Sequence, residues 1–406
     1  MRLADLDIVV VGNPPPSFGG RYFIFVKVTT ACGIVGWGEV YAASVGPGAM
    51  AVVIRDVFAR HMEGEAPDRI ELMFRRVHSA GFSQRPDPTV IGAFSGLEMA
   101  CWDIVGKALD RPVHALLGGR VQAGLRAYSY LYPDPGEAAA GFYASPERAA
   151  ARAEELVGQG LTAVKFDPAG PYAIMGGHQP SMADLDRSEA FCAAIRGAVG
   201  VRADLLFGTH GQFTPSGAVR LARRLEPYDP LWFEEPCPPD LTGDMAEVAQ
   251  ATRIPVALGE RMTTKYEFAQ ALRAGAARIL QPALGRVGGI WEAKKIAVLA
   301  EGFGAQIAPH LYAGPVAWAA NVQLGLTCPN FLIAESIGLG GGFHDRLLRT
   351  PIRIENGHIR PPDGPGLGIE LDEDVAQAHP WSGEALHLEM SPDPKSYADE
   401  APFAGG

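Results

Sequence analysis

The sequence predicts an α/β protein whose main part is a (β/α)8-type barrel, preceded by a smaller α+β domain. Eight short apolar runs each end in a polar residue, and each is followed by a longer amphipathic segment. These runs come after a region in which strand patterns precede helical ones. A chain of 406 residues also has room for a barrel of roughly 250 residues and a partner domain.

The N-terminal region, residues 1–124, is predicted to form the α+β domain. From Tyr22 to Glu39 the chain "YFIFVKVTTACGIVGWGE" has two β-branched and aromatic runs around a turn near Gly33, which is typical of a β-hairpin. Helical periodicity follows from about Ala49 to Leu117. Strands followed by helices are typical of an α+β domain.

Residues 125–349 are predicted to form the barrel. Segments between the apolar runs, such as "KYEFAQALRAG" and "SGAVRLARRLEP", repeat apolar residues at i, i+3, i+4 and i+7. Eight strand-helix units in succession favour a closed barrel over an open doubly wound sheet. The predicted strands are "LRAYSYL", "AVKFD", "ADLLFG", "LWFEEP", "PVALGE", "ARILQPA", "AQIAPH" and "FLIAES".

The last predicted region, residues 350–406, is rich in Pro, Gly and Asp. Its first part, "IRPPDGPGLGIELDED", is expected to pack back on the N-terminal domain. Its last part, "PDPKSYADEAPFAGG", is polar and is expected to be a surface tail.

Composition excludes several classes of protein. The net charge is -11 and no basic cluster is present, so no nucleic-acid partner is expected. No apolar stretch reaches the ~18 residues that span a bilayer, so no membrane association is expected. The 5 cysteines are scattered without CxxC spacing, which favours neither a disulfide framework nor a zinc site and suits a cytoplasmic protein.

The carboxyl ends of the predicted strands carry the residues of chemical interest, because a barrel forms its active site at that face. Any single polar strand end is commonly a solvated cap, but a series of them indicates acid-base or metal chemistry. The ends are Lys165 with Asp167, Gly208 with His210, Glu234 with Glu235, Glu260, Ala283, His310 and Glu335.

Two adjacent acids end the fourth run. Side chains alternate along a strand, so only one of Glu234 and Glu235 can enter the barrel mouth. Glu234 and Glu260 on neighbouring strands could together hold a hard divalent cation such as Mg²⁺. Glu235 is expected to meet a buried cation or a helix terminus instead.

These motifs resemble a known family. "WFEEP", "LGER", "GRVGGIWEAKKIA", "APH" and "AES", with the upstream "GIVGWGE" and "ACWDIVGKALDRPVHALLGG", are similar to the enolase superfamily, in particular its mandelate racemase subgroup. Within that subgroup the chain resembles acid-sugar dehydratases of the galactonate and mannonate type. The resemblance covers residues 1–375. It implies a modified TIM-like barrel whose N-terminal capping domain sets substrate specificity and is completed by the C-terminal segment.

The resemblance also implies an activity, which is Mg²⁺-dependent abstraction of the proton α to a carboxylate of a sugar acid. Loss of the β-hydroxyl would make the enzyme a dehydratase of carbohydrate catabolism that forms a 2-keto-3-deoxy acid. The implied partners are the small carboxylate substrate and further copies of the chain in a homo-oligomer.

For the metal site, the resemblance makes Glu234 and Glu260 two of the family's ligands. The family's third ligand is an Asp at the end of the third strand, where this chain has Gly208. Asp167 at the tip of the second strand could replace it, and His210 is a poorer alternative because hard Mg²⁺ favours oxygen.

For the acid-base groups, the resemblance makes His310 the general base and His210 the general acid. Lys165 matches a lysine that contacts the substrate carboxylate, with a second possible role as base, and Glu335 matches a glutamate that binds a substrate oxygen. Ala283 stands where related enzymes carry the Asp that pairs with the base. A second-strand lysine is also missing, which disfavours two-base racemisation.

Two further residues are candidates for substrate binding. Arg21 lies in "PPPSFGGRYF", where the family carries a loop that closes over substrate, and could contact the distal end of a polar substrate. Tyr130, on the first barrel strand, could offer its hydroxyl.

Two alternatives to dehydration remain open at this stage. A cycloisomerase of a related sugar acid or lactone would use the same proton abstraction. A non-catalytic barrel that only binds a sugar acid is suggested by Gly208 and Ala283, which replace two expected acids.

Overall fold

The N-terminal domain is built on a three-stranded antiparallel sheet. The computed structural model describes residues 1–41, 44–134, 136–170, 172–174 and 176–392. The sheet has the strand order β1-β2-β3, and the hairpin expected around Gly33 is β2-β3, in which Lys27 pairs with Trp37. The strands are β1 (Leu3–Gly12), β2 (Tyr22–Thr30) and β3 (Val35–Val40).

Helices follow the sheet, as the pattern predicts. They are α1 (Pro47–His61), α2 (Ile70–His78), the 3-10 turn Ala80–Phe82, α3 (Pro88–Leu109) and α4 (Val113–Leu116). Helix α3 begins where the Asp87 carboxylate accepts hydrogen bonds from two backbone N–H groups and Pro88 occupies the first turn. It packs against β3 on one side and against the barrel helices on the other, so it connects the two parts of the molecule.

Eight parallel strands form a closed barrel. The sheet pairs each strand with the next one along the chain. Pairing of β11 with β4 and a bridge between Ile307 and Phe331 close the circle. Each predicted run contains one strand, which confirms the predicted fold class. The strands are β4 (Leu125–Tyr130), β5 (Ala163–Phe166), β6 (Asp204–Phe207), β7 (Trp232–Glu234), β8 (Val256–Leu258), β9 (Ile279–Leu280), β10 (Gln306–Ile307) and β11 (Ala334–Ser336).

Helices surround the barrel in the order in which they follow the strands. The eighth unit is reduced, because only the short helix α14 follows β11. The helices are α5 (Ala139–Ala144), α6 (Pro146–Gly158), α7 (Met182–Val199), α8 (Pro215–Leu225) with the 3-10 turn Glu226–Tyr228, α9 (Thr242–Ala251), α10 (Thr264–Ala274), α11 (Leu284–Val287), α12 (Gly289–Gly302), α13 (Pro315–Gly325) and α14 (Gly342–Arg346).

A ring of buried side chains fills the barrel, one from each strand. Tyr128 and Trp232 meet edge to face at 5.4 Å and supply much of the volume that the ring's small alanines leave. The barrel interior is therefore packed rather than open. The ring consists of Tyr128, Ala163, Leu206, Trp232, Ala257, Ile279, Ala308 and Ile333.

The C-terminal region returns to both parts of the molecule. It contains β12 (Ile354–Glu355), β13 (His358–Ile359) and α15 (Glu373–Gln377). Strand β13 pairs with β4 of the barrel, whereas α15 packs against β1 of the N-terminal sheet. The boundaries drawn at 124 and 349 stay predictions, and the expected surface tail lies outside the described residues from 393 onwards.

Among the described residues, no helix combines the length and apolar character needed to cross a lipid bilayer.

One buried carboxylate joins three segments of the chain. Asp103 on α3 accepts hydrogen bonds from the backbone N–H of Trp37 at 3.0 Å and of Leu367 at 2.9 Å. It also pairs with Lys107 Nζ at 2.6 Å. Asp103 therefore ties β3, α3 and the C-terminal region together.

We expect Asp103→Ala to lower the free energy of unfolding by about 3–5 kcal/mol, because it leaves an ammonium and two backbone donors without their acceptor. The measurement is urea unfolding followed by circular dichroism at neutral pH. The control is Asp56→Ala, which removes an exposed partner of Arg60 on α1 and should have a much smaller effect. Equal effects of the two substitutions would contradict this role of Asp103.

Candidate active site

The strand pleat places the candidate residues at the barrel mouth. Because side chains repeat with a period of two along a strand, the residue two positions after each ring member faces the same way, toward the carboxyl ends. On seven strands these positions hold Tyr130, Lys165, Gly208, Glu234, Gln281, His310 and Glu335.

Strand β8 reaches the mouth differently. Gly259 has a φ of 133°, which a residue with a Cβ rarely adopts, and the chain turns there. Glu260, three positions after the ring residue Ala257, is then brought to the histidines of the mouth. The structure thus brings together Lys165, His210, Glu234, Glu260, His310 and Glu335 from six strands.

Glu234 is held on both oxygens. Its Oε1 lies 2.6 Å from Lys165 Nζ, and its Oε2 accepts a hydrogen bond of 2.9 Å from Gln281 Nε2. Burial alone would lower the pKa of Lys165, but the carboxylates of Glu234, Glu335 and Glu260 raise it. Lys165 therefore stays an ammonium ion at neutral pH.

Gln281 is a site residue that the sequence analysis missed. That analysis took Ala283 as the end of the sixth run, whereas β9 ends at Leu280 and Gln281 is the inward residue after it. The signal was present in "ARILQPA", since Gln281 stands two positions after the buried Ile279.

Glu235 faces away from the mouth and meets a cation, as expected from the alternation. Its Oε2 lies 2.7 Å from Arg261 Nε, and its side chain is buried. The two adjacent acids of the fourth run therefore have separate partners.

Glu260 lies between two histidines. Its Oε2 is 3.2 Å from His210 Nε2 and 3.7 Å from His310 Nδ1. Both are charge contacts, and this buried oxygen accepts no hydrogen bond. Burial would raise the pKa of Glu260, but the positive charges of His310 and His210 hold it well below its usual range.

A second carboxylate lies on the other side of His210. Asp167 Oδ2 is 3.3 Å from His210 Nδ1. Burial would lower the pKa of His210, yet Glu260 and Asp167 raise it well above its usual value. Burial raises the pKa of Asp167 itself.

Three residues form a group that could hold a metal ion. One ligand atom each from His210, Glu234 and Glu260 lie within 4.8 Å of one another. Asp167, which the sequence favoured as the third ligand, is not in this group. A Cβ on Gly208 would lie 3.3 Å from Lys165 Cε, so the space beside the missing third-strand acid is taken by that lysine.

The residues present fit a divalent cation. Glu260 Oε2 is a buried acceptor that receives no hydrogen bond, although two histidines lie near it, and such an oxygen can serve as a ligand atom for a cation. Glu234 and Glu260 offer carboxylate oxygens, the ligand type that Mg²⁺ prefers. The imidazole of His210 would add a nitrogen, which suits softer divalent ions better.

His310 has a carboxylate partner, although Ala283, at the position where an Asp partner was expected, cannot supply one. Its Nδ1 is 3.3 Å from Glu335 Oε2, while its Nε2 is buried without a hydrogen-bond partner. Burial would lower the pKa of His310, but Glu260 and Glu335 raise it. Asn321 Nδ2 donates to the carbonyl of His310 at 2.9 Å and fixes the backbone there.

A cavity of about 440 Å³ is lined by most of the candidate residues, namely Tyr130, Lys165, His210, Glu260, His310 and Glu335. Tyr130 is among its lining residues and packs 5.3 Å from Tyr132. The cavity wall is unusually rich in phenol groups, since the lining includes Tyr41, Tyr130, Tyr132, Tyr143, Tyr172 and Tyr312.

The loop after β1 lies over one side of this cavity. Asn13 Nδ2 donates to the carbonyls of Phe18 at 2.9 Å and Gly20 at 2.8 Å, which fixes the loop's curvature. The ring of Phe18 stacks on Tyr132 at 4.1 Å.

Residues 379–391, here called the C-terminal strap, cover the other side. The strap is joined to β1 by a bridge between Val11 and Pro380 and to the barrel by Ser391 N donating to Tyr172 O at 2.8 Å. His387 and the three residues after it line the cavity. The sequence analysis assigned no site residue to this part of the chain.

His387 anchors the strap. Its ring lies 5.0 Å from Tyr41 and 5.6 Å from Tyr22. Burial lowers the pKa of His387 to about 4, so its imidazole is neutral at neutral pH. Arg21 binds the strap too, through Leu386 O at 2.8 Å and Glu389 Oε2 at 2.7 Å, and is not among the cavity-lining residues found in the described chain.

Two family models match the chain. One, described as "Mandelate racemase / muconate lactonizing enzyme, N-terminal domain", matches residues 16–118. The other, "Enolase C-terminal domain-like", matches residues 148–375. The C-terminal strap lies beyond both matches.

Curated relatives and solved structures are similar over nearly the whole chain. A D-xylonate dehydratase of Haloferax volcanii is 35% identical over 95% of this chain and 90% of its own. A D-galactonate dehydratase of Ralstonia nicotianae is 34% identical over 86% of this chain and 89% of its own. A mandelate racemase/muconate lactonizing enzyme from Sulfitobacter sp. superposes with a TM-score of 0.96 at 61% identity, covering 98% of this chain and 100% of that one.

Gly20 sits where the strap crosses the loop. Its φ is 112°, and a Cβ built there would overlap the His387 imidazole. We expect Gly20→Ala to push the strap outward, so that amides of residues 381–391 exchange hydrogen at least about tenfold faster. Hydrogen exchange with mass spectrometry measures this.

The matched control is Gly33→Ala, where φ is 85° and nothing lies within 4 Å of the new Cβ. This substitution also puts a Cβ on a residue with positive φ, but the Cβ overlaps no other side chain. Equal strap exchange in the two variants would show that Gly20 does not seat the strap.

Proposed function

This chain belongs to the mandelate racemase/muconate lactonizing enzyme family of the enolase superfamily, and on that premise we propose that it is a metal-dependent dehydratase of a sugar acid. Curated relatives similar over most of the chain are named dehydratases of D-xylonate and D-galactonate. The observation that carries the proposal is the cluster of acids and bases at the barrel mouth around the Glu260 oxygen, which accepts no hydrogen bond.

The proposed metal ion is Mg²⁺, held by Glu234 and Glu260. When bound, it would supply the positive charge that makes the proton α to a carboxylate removable at neutral pH. His210 is supported as a third ligand by its place in the three-residue group. Asp167 stays the alternative that the sequence predicted.

Lys165 is proposed to bind the substrate carboxylate. Its ammonium is buried and charged, and it lies next to Glu234 at the centre of the mouth. The raised pKa makes a neutral lysine rare at pH 7, which argues against Lys165 as the base.

His310 is proposed to be the general base. In its neutral form, with Nδ1–H directed at Glu335, His310 has the lone pair of Nε2 available for the α-proton. Neighbouring carboxylates raise the pKa of His310, and a more basic imidazole accepts a carbon-bound proton more readily. Removal of the proton leaves its electron pair on the substrate as an enediolate.

His210 is proposed to be the general acid. Carboxylates on both sides raise its pKa and favour the imidazolium form. The Cβ–O bond breaks, the hydroxyl leaves as water with the proton from His210, and the enol that remains tautomerises to a 2-keto-3-deoxy acid. This role requires the imidazolium form, which a metal-ligating imidazole cannot adopt, so the two proposed roles of His210 exclude each other in one catalytic state.

The first experiment is a substrate panel. Purified protein with Mg²⁺ is incubated with aldonic and aldaric acids, and 2-keto-3-deoxy acids are detected by their semicarbazones. Consumption of an acid without keto acid would favour the cycloisomerase. Binding of an acid without turnover or α-proton exchange would favour the non-catalytic barrel.

We expect His310→Asn to lower kcat/KM for keto-acid formation by about 10²–10⁴-fold, the usual contribution of a general base. Exchange of the α-proton in D₂O should fall in parallel. The control is His358→Asn, which changes an exposed histidine on β13 and should leave both rates as they are. Unchanged exchange in His310→Asn would identify another base.

We expect Glu260→Gln to weaken Mg²⁺ binding by about tenfold or more, because even residues behind metal ligands typically contribute that much. Calorimetric titration of Mg²⁺ measures this without turnover. Glu301→Gln on the exposed side of α12 is the matched control. Binding as tight as in the unsubstituted protein would remove Glu260 from the metal site.

The same titration separates the candidates for the third ligand. We expect His210→Asn to weaken Mg²⁺ and Mn²⁺ binding, with the larger loss for Mn²⁺, because nitrogen ligands suit Mn²⁺ better than Mg²⁺. If His210→Asn leaves both affinities unchanged while Asp167→Asn lowers them, Asp167 is the ligand and His210 keeps only the acid role.

A further inference from the structure

One cationic side chain in the cavity has no anionic partner. Lys165 pairs with Glu234, and Arg261 pairs with Glu235. Arg286 lines the same cavity, and in the described part of the chain its guanidinium makes neither an ion pair nor a hydrogen bond. The charge on Arg286 is therefore uncompensated by the protein.

The position of Arg286 is well fixed. Its backbone N–H donates to Ala283 O at 2.8 Å, and its carbonyl accepts from Thr263 Oγ1 at 2.8 Å. The guanidinium lies over the ring of Tyr41, 4.7 Å from the ring centre. Stacking on a ring face leaves the N–H edge of a guanidinium free to bind an anion.

The Nε–H of Arg286 is buried without an acceptor. A buried donor left unpaired is unfavourable. Because the unpaired Nε–H lies beside a cavity, we expect a bound ligand to supply its acceptor. The three carboxylates that line this cavity all have other cationic or imidazole neighbours. Glu335 is engaged by His310 and Leu311 N, Glu389 by Arg21, and Glu260 lies beside His210 and His310. The missing anion is therefore expected to come from the bound ligand.

Barrel topology places the two cations across the mouth from each other. Lys165 is on β5, the second strand of the barrel, and Arg286 follows β9, the sixth. In a closed circle of eight strands the second and sixth are opposite. A linear molecule that contacts both would need an anionic group at each end.

We propose that the substrate is a dicarboxylic sugar acid and that Arg286 binds its second carboxylate. This inference rests on the proposed function, which assigns the first carboxylate to Lys165. A guanidinium forms two parallel hydrogen bonds to a carboxylate, which a terminal hydroxymethyl group cannot accept in the same way. The named relatives act on D-xylonate and D-galactonate, which are monocarboxylic acids, so substrate class would differ here.

Matched substrates test the proposal. Galactarate and galactonate, or glucarate and gluconate, differ only in whether the terminal carbon is a carboxylate. We expect kcat/KM to favour the diacid of at least one pair by about tenfold or more. Arg286→Met, which keeps an apolar chain on Tyr41, should lower that diacid-to-monoacid ratio by about tenfold or more and so abolish the preference. Arg286→Lys keeps the positive charge but loses the paired N–H groups of the guanidinium, so it should lower the ratio less.

The control variant is Arg273→Met, the same substitution on the exposed side of α10, which should leave the ratio unchanged. Thermal melting confirms that each variant is folded. The proposal is overturned if the unsubstituted protein shows no preference for either diacid. It is equally overturned if Arg286→Met lowers kcat/KM for both members of a pair to the same extent.

A binding measurement keeps this test separate from that of the proposed function. In the His310→Asn background, calorimetry compares galactarate with galactonate, with and without Arg286→Met. We expect tighter binding of galactarate that the second substitution abolishes. If no acid is dehydrated, the proposed function fails, while this preference still decides whether Arg286 binds a second carboxylate. Equal affinities for the two acids would reject it.

Discussion

The two-residue repeat of the barrel strands is the constraint on which the site depends. The closed ring that contains Tyr128 and Trp232 fixes which way the side chains of each strand point near its carboxyl end. Residues two positions further along must then face one another across the mouth. Lys165, Glu234 and His310 converge for that reason, although they are far apart in the sequence.

Burial makes the charges at the mouth depend on one another. Each of Glu234, Glu260 and Glu335 has a cationic or imidazole neighbour within 4 Å, and an isolated charge there would be strongly disfavoured. Two consequences follow for the chemistry. The lysine is kept charged, and the histidines are more basic than free imidazole. A change in the position of any one of these side chains alters the protonation of the others.

The sequence was sufficient for features that depend on local periodicity, and insufficient for those that depend on distant segments. Strand ends at Lys165, Glu234 and His310 follow from alternation and order along the chain. That Glu335 becomes the partner of His310 depends on how side chains of two neighbouring strands pack at the mouth, which the alternation along a single strand does not encode. No periodicity in the sequence points to Arg286, because its importance rests on its having no anionic partner among the described residues. Asp167, whose role as a metal ligand stays a prediction, lies beside His210, a contact that the sequence pattern does not indicate.

The strap gives the last part of the chain a place beside the reacting groups. His387 reaches the cavity only after residues 379–386 have crossed β1 and the loop at Arg21. Ribosomes synthesise residues 379–391 after the barrel residues, so a nascent chain can close its barrel while the pocket still lacks one wall. The binding cavity is therefore completed later in synthesis than the barrel that carries the reacting groups.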